Sequence, residues 1–182
     1  RYNEAEPLYL QTLEMRNKLL GDEHSDVTQS LNNLAALYHE QGRYNEAEPL
    51  FLQALEMRKK LLGDKHLDVS ETLNNLALLY DDQGRYEEAE SLHLQALEMR
   101  KKLLGDEHPY VAHSLQNLSS LYYNQGRYEE AEPLYLQALE IYKKLLGYEH
   151  PYVAYSLHAL ANLYYNQGRY EEAEPLYLQS LE

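Results

Sequence analysis

The sequence predicts an all-α fold, a solenoid of antiparallel helix pairs with a 42-residue period, from three observations. Arg-Tyr recurs at Arg1, Arg43, Arg85, Arg127 and Arg169, always 42 residues apart, so the 182 residues make four frames of 42 with 14 left over. Repetition at a period of tens of residues is the signature of stacked-repeat architectures. Each frame holds two apolar patterns at helical spacing. Glycine punctuates both, at Gly21, Gly63, Gly105 and Gly147 after one pattern and at Gly42, Gly84, Gly126 and Gly168 after the other. Helix ends favour a residue that tolerates positive φ.

In chain order, a lone helix of the second type occupies 1–24. Pairs follow at 25–66, 67–108, 109–150 and 151–182, the last truncated. Within each pair the first helix comes from a pattern such as Pro109 to Asn124. Its counterparts Val69, Leu73, Leu76, Ala77 and Tyr80 stand at i, i+4, i+7, i+8 and i+11, one continuous stripe. Pro109 and Pro151 suit a first helical position, where the N–H has no use. The second helix, Tyr86 to Leu104 in one frame, carries Ala89, His93, Ala96 and Leu97 on one face. Pro7, Pro49, Pro133 and Pro175 are absorbed if this helix starts at the preceding Arg-Tyr. Glu4, Glu6, Glu46, Glu48, Glu87, Glu88 and Glu90 sit in first turns, and Arg58-Lys59-Lys60 and Arg100-Lys101-Lys102 in last turns, each sign opposing the helix dipole. Two helices cannot bury their apolar faces alone, so the units must stack on their neighbours. The chain opens on Arg1 and closes on Glu182 inside a helical pattern, which predicts a piece of a longer array.

Composition removes several functions. Acidic residues number 30 and basic residues 16, a net charge of −14, and phosphate contacts need clustered Lys and Arg. Nucleic acid and anionic membrane surfaces are therefore disfavoured partners. Mean hydropathy is −0.68, and no apolar run approaches the ~20 residues of a membrane span. Zero Cys excludes disulfides and Cys-ligated zinc and agrees with a cytoplasmic location.

Leu76, Ala77, Tyr80, Gly84-Arg85-Tyr86, Ala89, His93 and Ala96 resemble the tetratricopeptide repeat. So do Leu118, Ser119, Tyr122, Gly126-Arg127-Tyr128, Ala131, Tyr135 and Ala138 in the next frame. The 42-residue length, Leu-Asn-Asn-Leu-Ala (Leu31 to Ala35, Leu73 to Ala77) and Glu-His-Pro-Tyr-Val-Ala (Glu107 to Ala112, Glu149 to Ala154) are similar to the kinesin light chain subtype, also found in bacterial arrays. The resemblance implies a right-handed superhelix whose concave groove is lined by the first helix of each pair. It implies a protein- or peptide-binding scaffold, not an enzyme. Grooves of that subtype read acidic peptides with basic residues, and those basic residues are missing here.

The stripe beside the buried one is the candidate groove. It carries Gln29, Asn32, Asn33, Ala36, His39 and Glu40, then Glu71, Asn74, Asn75, Leu78, Asp81 and Asp82. The later frames supply His113, Gln116, Asn117, Ser120, Tyr123 and Asn124, then Tyr155, His158, Ala159, Asn162, Tyr165 and Asn166. None is Lys or Arg. Amides bond an extended peptide's backbone without reading its sequence, and Tyr adds apolar area with a hydroxyl. The expected partner is a peptide or protein with aromatic, aliphatic or basic side chains, since an acidic one finds no counter-charge. The same residues also fit an ordinary solvated polar face.

Other features point to no chemistry. His24, His66, His108 and His150 recur at turns, and adjacent helices about 8–10 Å apart cannot close a metal site whose bonds are about 2 Å. No nucleophile–base pair or phosphate loop occurs, so neither cofactor, metal nor enzymatic activity is expected. His93, where other frames have Tyr9, Phe51, Tyr135 and Tyr177, is expected in the core, as are Tyr38, Tyr80, Tyr122 and Tyr164. Near-identical units with apolar ends would also allow end-to-end self-association in a structural array, and a further alternative is a targeting or sensor arm of a larger enzyme.

Overall fold

The computed structural model describes residues 2–181, with side chains from Glu4 onward. The first Arg-Tyr arginine, Arg1, and the final Glu182 lie outside the described residues. Among the described residues there are nine α-helices and no strand: α1 (Tyr2–Leu20), α2 (Ser25–Glu40), α3 (Tyr44–Leu62), α4 (Leu67–Asp82), α5 (Tyr86–Leu104), α6 (Pro109–Asn124), α7 (Tyr128–Leu146), α8 (Pro151–Asn166) and α9 (Tyr170–Gln179). Sixteen-residue helices alternate with nineteen-residue ones up to α8. The chain forms two compact units, Arg1–Met99 and Arg100–Glu182, divided within α5.

In the first unit α2 packs against α1 and α3, and α3 against α4. Val27, Leu31 and Ala54 form a buried cluster with Leu13, Leu50 and Met57 against it. In the second unit α6 packs on α7, α7 on α8, and α8 on α9. The core there is built from Val111, Leu115 and Leu118 of α6, Ala131 and Ala138 of α7, and Leu157 and Leu160 of α8. In both units the small residues are wholly enclosed: Ala35, Ala47, Ala77, Ala89, Ser119, Ala131 and Ala161 show no exposed area. A larger side chain at any of them would force the helix axes apart.

The helix ends follow from local chemistry. His24, His66, His108 and His150 are the N-caps of α2, α4, α6 and α8, and each Nδ1 accepts the backbone N–H two residues on. That satisfies one of the donors that every helix start leaves unpaired. At the other end, Gly63 has φ 82° and its N–H bonds the Lys59 carbonyl. The helices α3, α7 and α9 run through Pro49, Pro133 and Pro175, each exposed and five residues beyond the first helical Tyr. Water can take the backbone carbonyl that each proline leaves without a donor.

One charge assignment is corrected. Arg58 is 1% exposed and Arg100 6%, so neither is a solvated last-turn cation like Lys59 or Lys101. Arg58 Nη1 donates to the Asp68 carbonyl and to Thr72 Oγ1 at 2.7 Å, and Nη2 to Gln29 Oε1 at 2.7 Å. Arg100 reaches the Tyr110 carbonyl and Ser114 Oγ in the same way, and Arg16 reaches Asp26 and Ser30. A guanidinium has five donors in a rigid fork, enough to satisfy several acceptors of the following helix from a single buried position.

Candidate functional site

The candidate surface is the face of the sixteen-residue helices left over once their apolar stripe is buried. In the first unit this is α2 and α4. Asn32 and Asn74 are each only 2% exposed, which corrects their placement on an open groove. Asn32 Nδ2 donates to Glu71 Oε1 at 3.3 Å and its Oδ1 accepts from Asn75 Nδ2 at 3.4 Å. The amide therefore bonds α2 to α4, which a period-based reading cannot separate from a groove position. Asn33, Asn75, Glu71 and Asp81 are half-buried, and Asn33 Oδ1 accepts from Gln29. His39 Nε2 lies 2.6 Å from Asp82 Oδ2, and its ring tilts against Tyr44 at 5.9 Å. This face is acidic, with Glu40 and Asp82 exposed.

The second unit carries a different surface on α6 and α8. Tyr155 is 60% exposed and Tyr165 56%, and His113, His158 and Asn166 are exposed as well. Asn117, Tyr123 and Asn162 are half-buried, and Gln116 is buried. Asn166 Nδ2 donates to the Tyr123 hydroxyl. The ring of His158 meets Tyr177 edge-on at 5.4 Å, while Tyr165 packs on Tyr170 at 5.3 Å and Tyr123 on Tyr128 at 5.7 Å. His113 keeps part of its ring open to solvent, yet desolvation, and then the nearby Arg100 charge, lower its pKa from the ordinary imidazole value.

Two residues beyond the candidate stripe complete this surface from below. The Tyr177 hydroxyl donates to Asn162 Oδ1 at 2.6 Å, and the Tyr135 hydroxyl lies 3.0 Å from Ser120 Oγ. Burial pushes the Tyr135 phenol up to about 12. The signal for this lay in paired positions fifteen residues apart. Ala36 goes with Phe51, whereas Ser120 goes with Tyr135 and Asn162 with Tyr177, so hydroxyls occur where a polar partner awaits them.

The remaining arginines are engaged elsewhere. Arg43 lies 4.0 Å over the Tyr38 ring, Nε and Nη2 fork onto Glu46 at 2.7 and 2.5 Å, and Nη1 meets Glu6 at 2.8 Å. The Tyr38 hydroxyl donates to the same Glu6. Arg85 repeats the cluster with Tyr80, Glu88 and Glu48, and Arg169 with Tyr164, Glu172 and Glu132. Among the described residues, no three His, Cys, Asp or Glu side chains gather to hold a metal ion. No described helix is long and apolar enough to cross a membrane.

The family model for the tetratricopeptide repeat matches residues 1–60, 26–102, 68–144 and 110–182. Among solved structures, BtubC (BKLC) from P. vanneervenii is 27% identical with a TM-score of 0.84, the match covering 98% of this chain and 71% of that one. The crystal structure of the Podosopora anserina putative kinesin light chain, with nearly identical TPR-like repeats, is 32% identical with a TM-score of 0.77, covering 98% and 85%. A Rap protein complexed with competence and sporulation factor shares the fold at 20% identity, with a TM-score of 0.83 over 99% of this chain and 48% of that one. No curated protein matches the chain.

Proposed function

Because the chain belongs to the tetratricopeptide repeat family, in its kinesin light chain-like form, we propose that it is a non-enzymatic, cytoplasmic scaffold that holds a peptide or partner segment on the open face of its sixteen-residue helices. The observation that carries this reading is the surface of α6 and α8. Tyr155 and Tyr165 leave more than half their area in water although tyrosine gains by burial, and α9 braces the neighbouring His158 and Asn162 through Tyr177. Fixed aromatic and amide groups of this kind bind with little loss of side-chain freedom. No Lys or Arg lies on the face of α2, α4, α6 or α8, so the favoured partner carries aromatic, aliphatic or basic side chains in preference to acidic ones.

The test is capture from a peptide library sorted by net charge, at low and high salt. Aromatic, aliphatic or basic peptides should be enriched. Replacing Tyr123, His158 and Tyr165 together by Ala should weaken capture by about tenfold or more, with helical circular dichroism retained. Undiminished capture would remove the α6/α8 face from the proposal.

A second reading is end-to-end association between copies. It rests on the recurrence of near-identical units, whose stacking faces are alike from one unit to the next. Sedimentation velocity over a concentration series decides it: a constant monomer mass ends this reading.

A further inference from the structure

We propose that Tyr148, in the turn between α7 and α8, is a tyrosine phosphorylation site. The first ground is its place in the repeat. The equivalent positions of the other turns hold Asp22, Asp64 and Asp106, and the turn after α7 alone carries tyrosine there. Glu149 follows it, as Glu23 and Glu107 follow Asp22 and Asp106. Two adjacent negative charges are therefore tolerated in this turn elsewhere in the chain.

The second ground is a lysine in the matching place. At the end of α5, Lys101 Nζ lies 3.9 Å from Asp106 Oδ1. Lys143 and Tyr148 stand 42 residues further on, and Lys143 Nζ lies 5.6 Å from the centre of the Tyr148 ring. This lysine faces an aromatic ring where its counterpart faces a carboxylate. A phosphoryl group carries a charge of about −1.5 to −2 and three strong acceptor oxygens. On Tyr148 it returns to the turn the negative charge that the aspartates supply. The flexible lysine stem lets the ammonium leave the ring face and follow the phosphate.

The third ground is access. Tyr148 is 78% exposed, more than any other tyrosine among the described residues, and it lies in a turn, whereas Tyr110, Tyr152, Tyr155, Tyr165 and Tyr170 lie in helices. A modifying enzyme draws the backbone beside the phenol into its own cleft, which costs less at a turn than inside a hydrogen-bonded helix. This sequence has no phosphate loop, so the phosphoryl group comes from a nucleoside triphosphate held by a separate enzyme. The Tyr148 hydroxyl oxygen forms the new bond to the γ-phosphorus, and the bond from that phosphorus to the β–γ bridging oxygen breaks. The nucleoside diphosphate leaves, and the phenolic proton passes to a base of that enzyme.

Treatment of the whole chain with a broad-specificity tyrosine kinase domain and magnesium ATP tests this, with the sites followed over time by tandem mass spectrometry. Tyr148 should be modified about tenfold faster than any tyrosine in a helix, and Tyr148→Phe should remove that product alone. Phosphorus NMR of the modified chain then reads the second ionisation of the phosphate, which lies near ~6 in an isolated phosphotyrosine. A lysine beside it favours the dianion, so the value should fall by about 0.5, and Lys143→Gln should restore it. Glu149 is the same in both proteins and cancels from the comparison. Modification of Tyr148 no faster than that of the helical tyrosines overturns the proposal. So does a phosphate whose ionisation is the same with Lys143 and with Gln, because the lysine is then no partner for it.

Discussion

A histidine at every second turn, ahead of each sixteen-residue helix, is the smallest feature that organises this protein. Nδ1 of His108 accepts the Tyr110 N–H at 3.1 Å, and the equivalent bonds at His24, His66 and His150 have the same form. The residue two positions on differs between units. Asp26 and Asp68 lie 4.0 and 3.7 Å from the imidazoles of His24 and His66, while Tyr110 and Tyr152 place a ring against His108 and His150. The cap therefore persists while its support changes from a carboxylate to an aromatic ring. His108→Ala should cost about 1 kcal/mol in urea denaturation, and His108→Asn should restore most of it because an amide oxygen can accept the same N–H. Equal losses for the two variants would mean that ring packing on Tyr110, and not the cap, is what His108 contributes.

At the scale of the helix, an arginine ties each of α1, α3 and α5 to the short helix that follows. Arg58 has a place that Arg16 and Arg100 share, and its partner hydroxyl is Ser30, Thr72 or Ser114 in turn. In α7 the position is Tyr142, 1% exposed, whose ring lies 5.3 Å from Tyr152. Apolar ring packing there replaces a fork of hydrogen bonds. Arg58→Ala should destabilise by about 2–4 kcal/mol, from the cavity and from acceptors left without a donor. Arg58→Lys should recover less than half of that, since one ammonium cannot reach Asp68, Thr72 and Gln29 together. Chemical denaturation of the three proteins is the measurement, and full recovery by Lys would show that charge, not the fork, is what the site requires.

Over the whole molecule, the recurring arginine–glutamate–tyrosine clusters set how stability depends on pH. Hydrogen bonds from Arg43, Arg85, Arg127 and Arg169 hold Glu46, Glu88, Glu130 and Glu172 below the usual carboxylate value. A group lowered on folding adds stability above its unfolded pKa and loses it as pH falls through the folded one. The melting temperature should therefore drop as pH falls from the carboxylate range. On the alkaline side, burial first raises both Tyr135 and Tyr164 to about 12 from an ordinary value of 10. Between those values the unfolded chain has lost the phenolic proton and the folded one retains it, so stability should fall as pH rises from 10 towards 12. Thermal melts across the pH range read both limbs. Arg85→Gln should flatten the acid limb, and an unchanged slope would dissociate it from the clusters.

The fold was legible in the sequence because its determinants are local and repeated. A 42-residue period, apolar spacing at 3.6 residues, turn glycines and enclosed alanines each act within one helix or on its immediate neighbour, and repetition presents them several times over. The resemblance carried by Leu-Asn-Asn-Leu-Ala and Gly-Arg-Tyr led to the family that the repeat model and the kinesin light chain-like structure show. The candidate surface was legible only as a stripe. Helical periodicity fixes the angle at which a side chain leaves its axis, not what stands opposite it, so Asn32 and Asn33 read alike. Packing decided between them: Asn32 bonds across to α4 at 2% exposure, and Asn33 remains nearer the solvent. The same limit hid the inward reach of Arg58 and the upward reach of the Tyr135 and Tyr177 hydroxyls. The sequence by itself determined which helices form and which stripe is buried, because those depend on spacing along one chain. Tertiary structure alone decided which polar groups satisfy one another and which stay open to a partner, because that depends on distances between residues ten to forty-three positions apart.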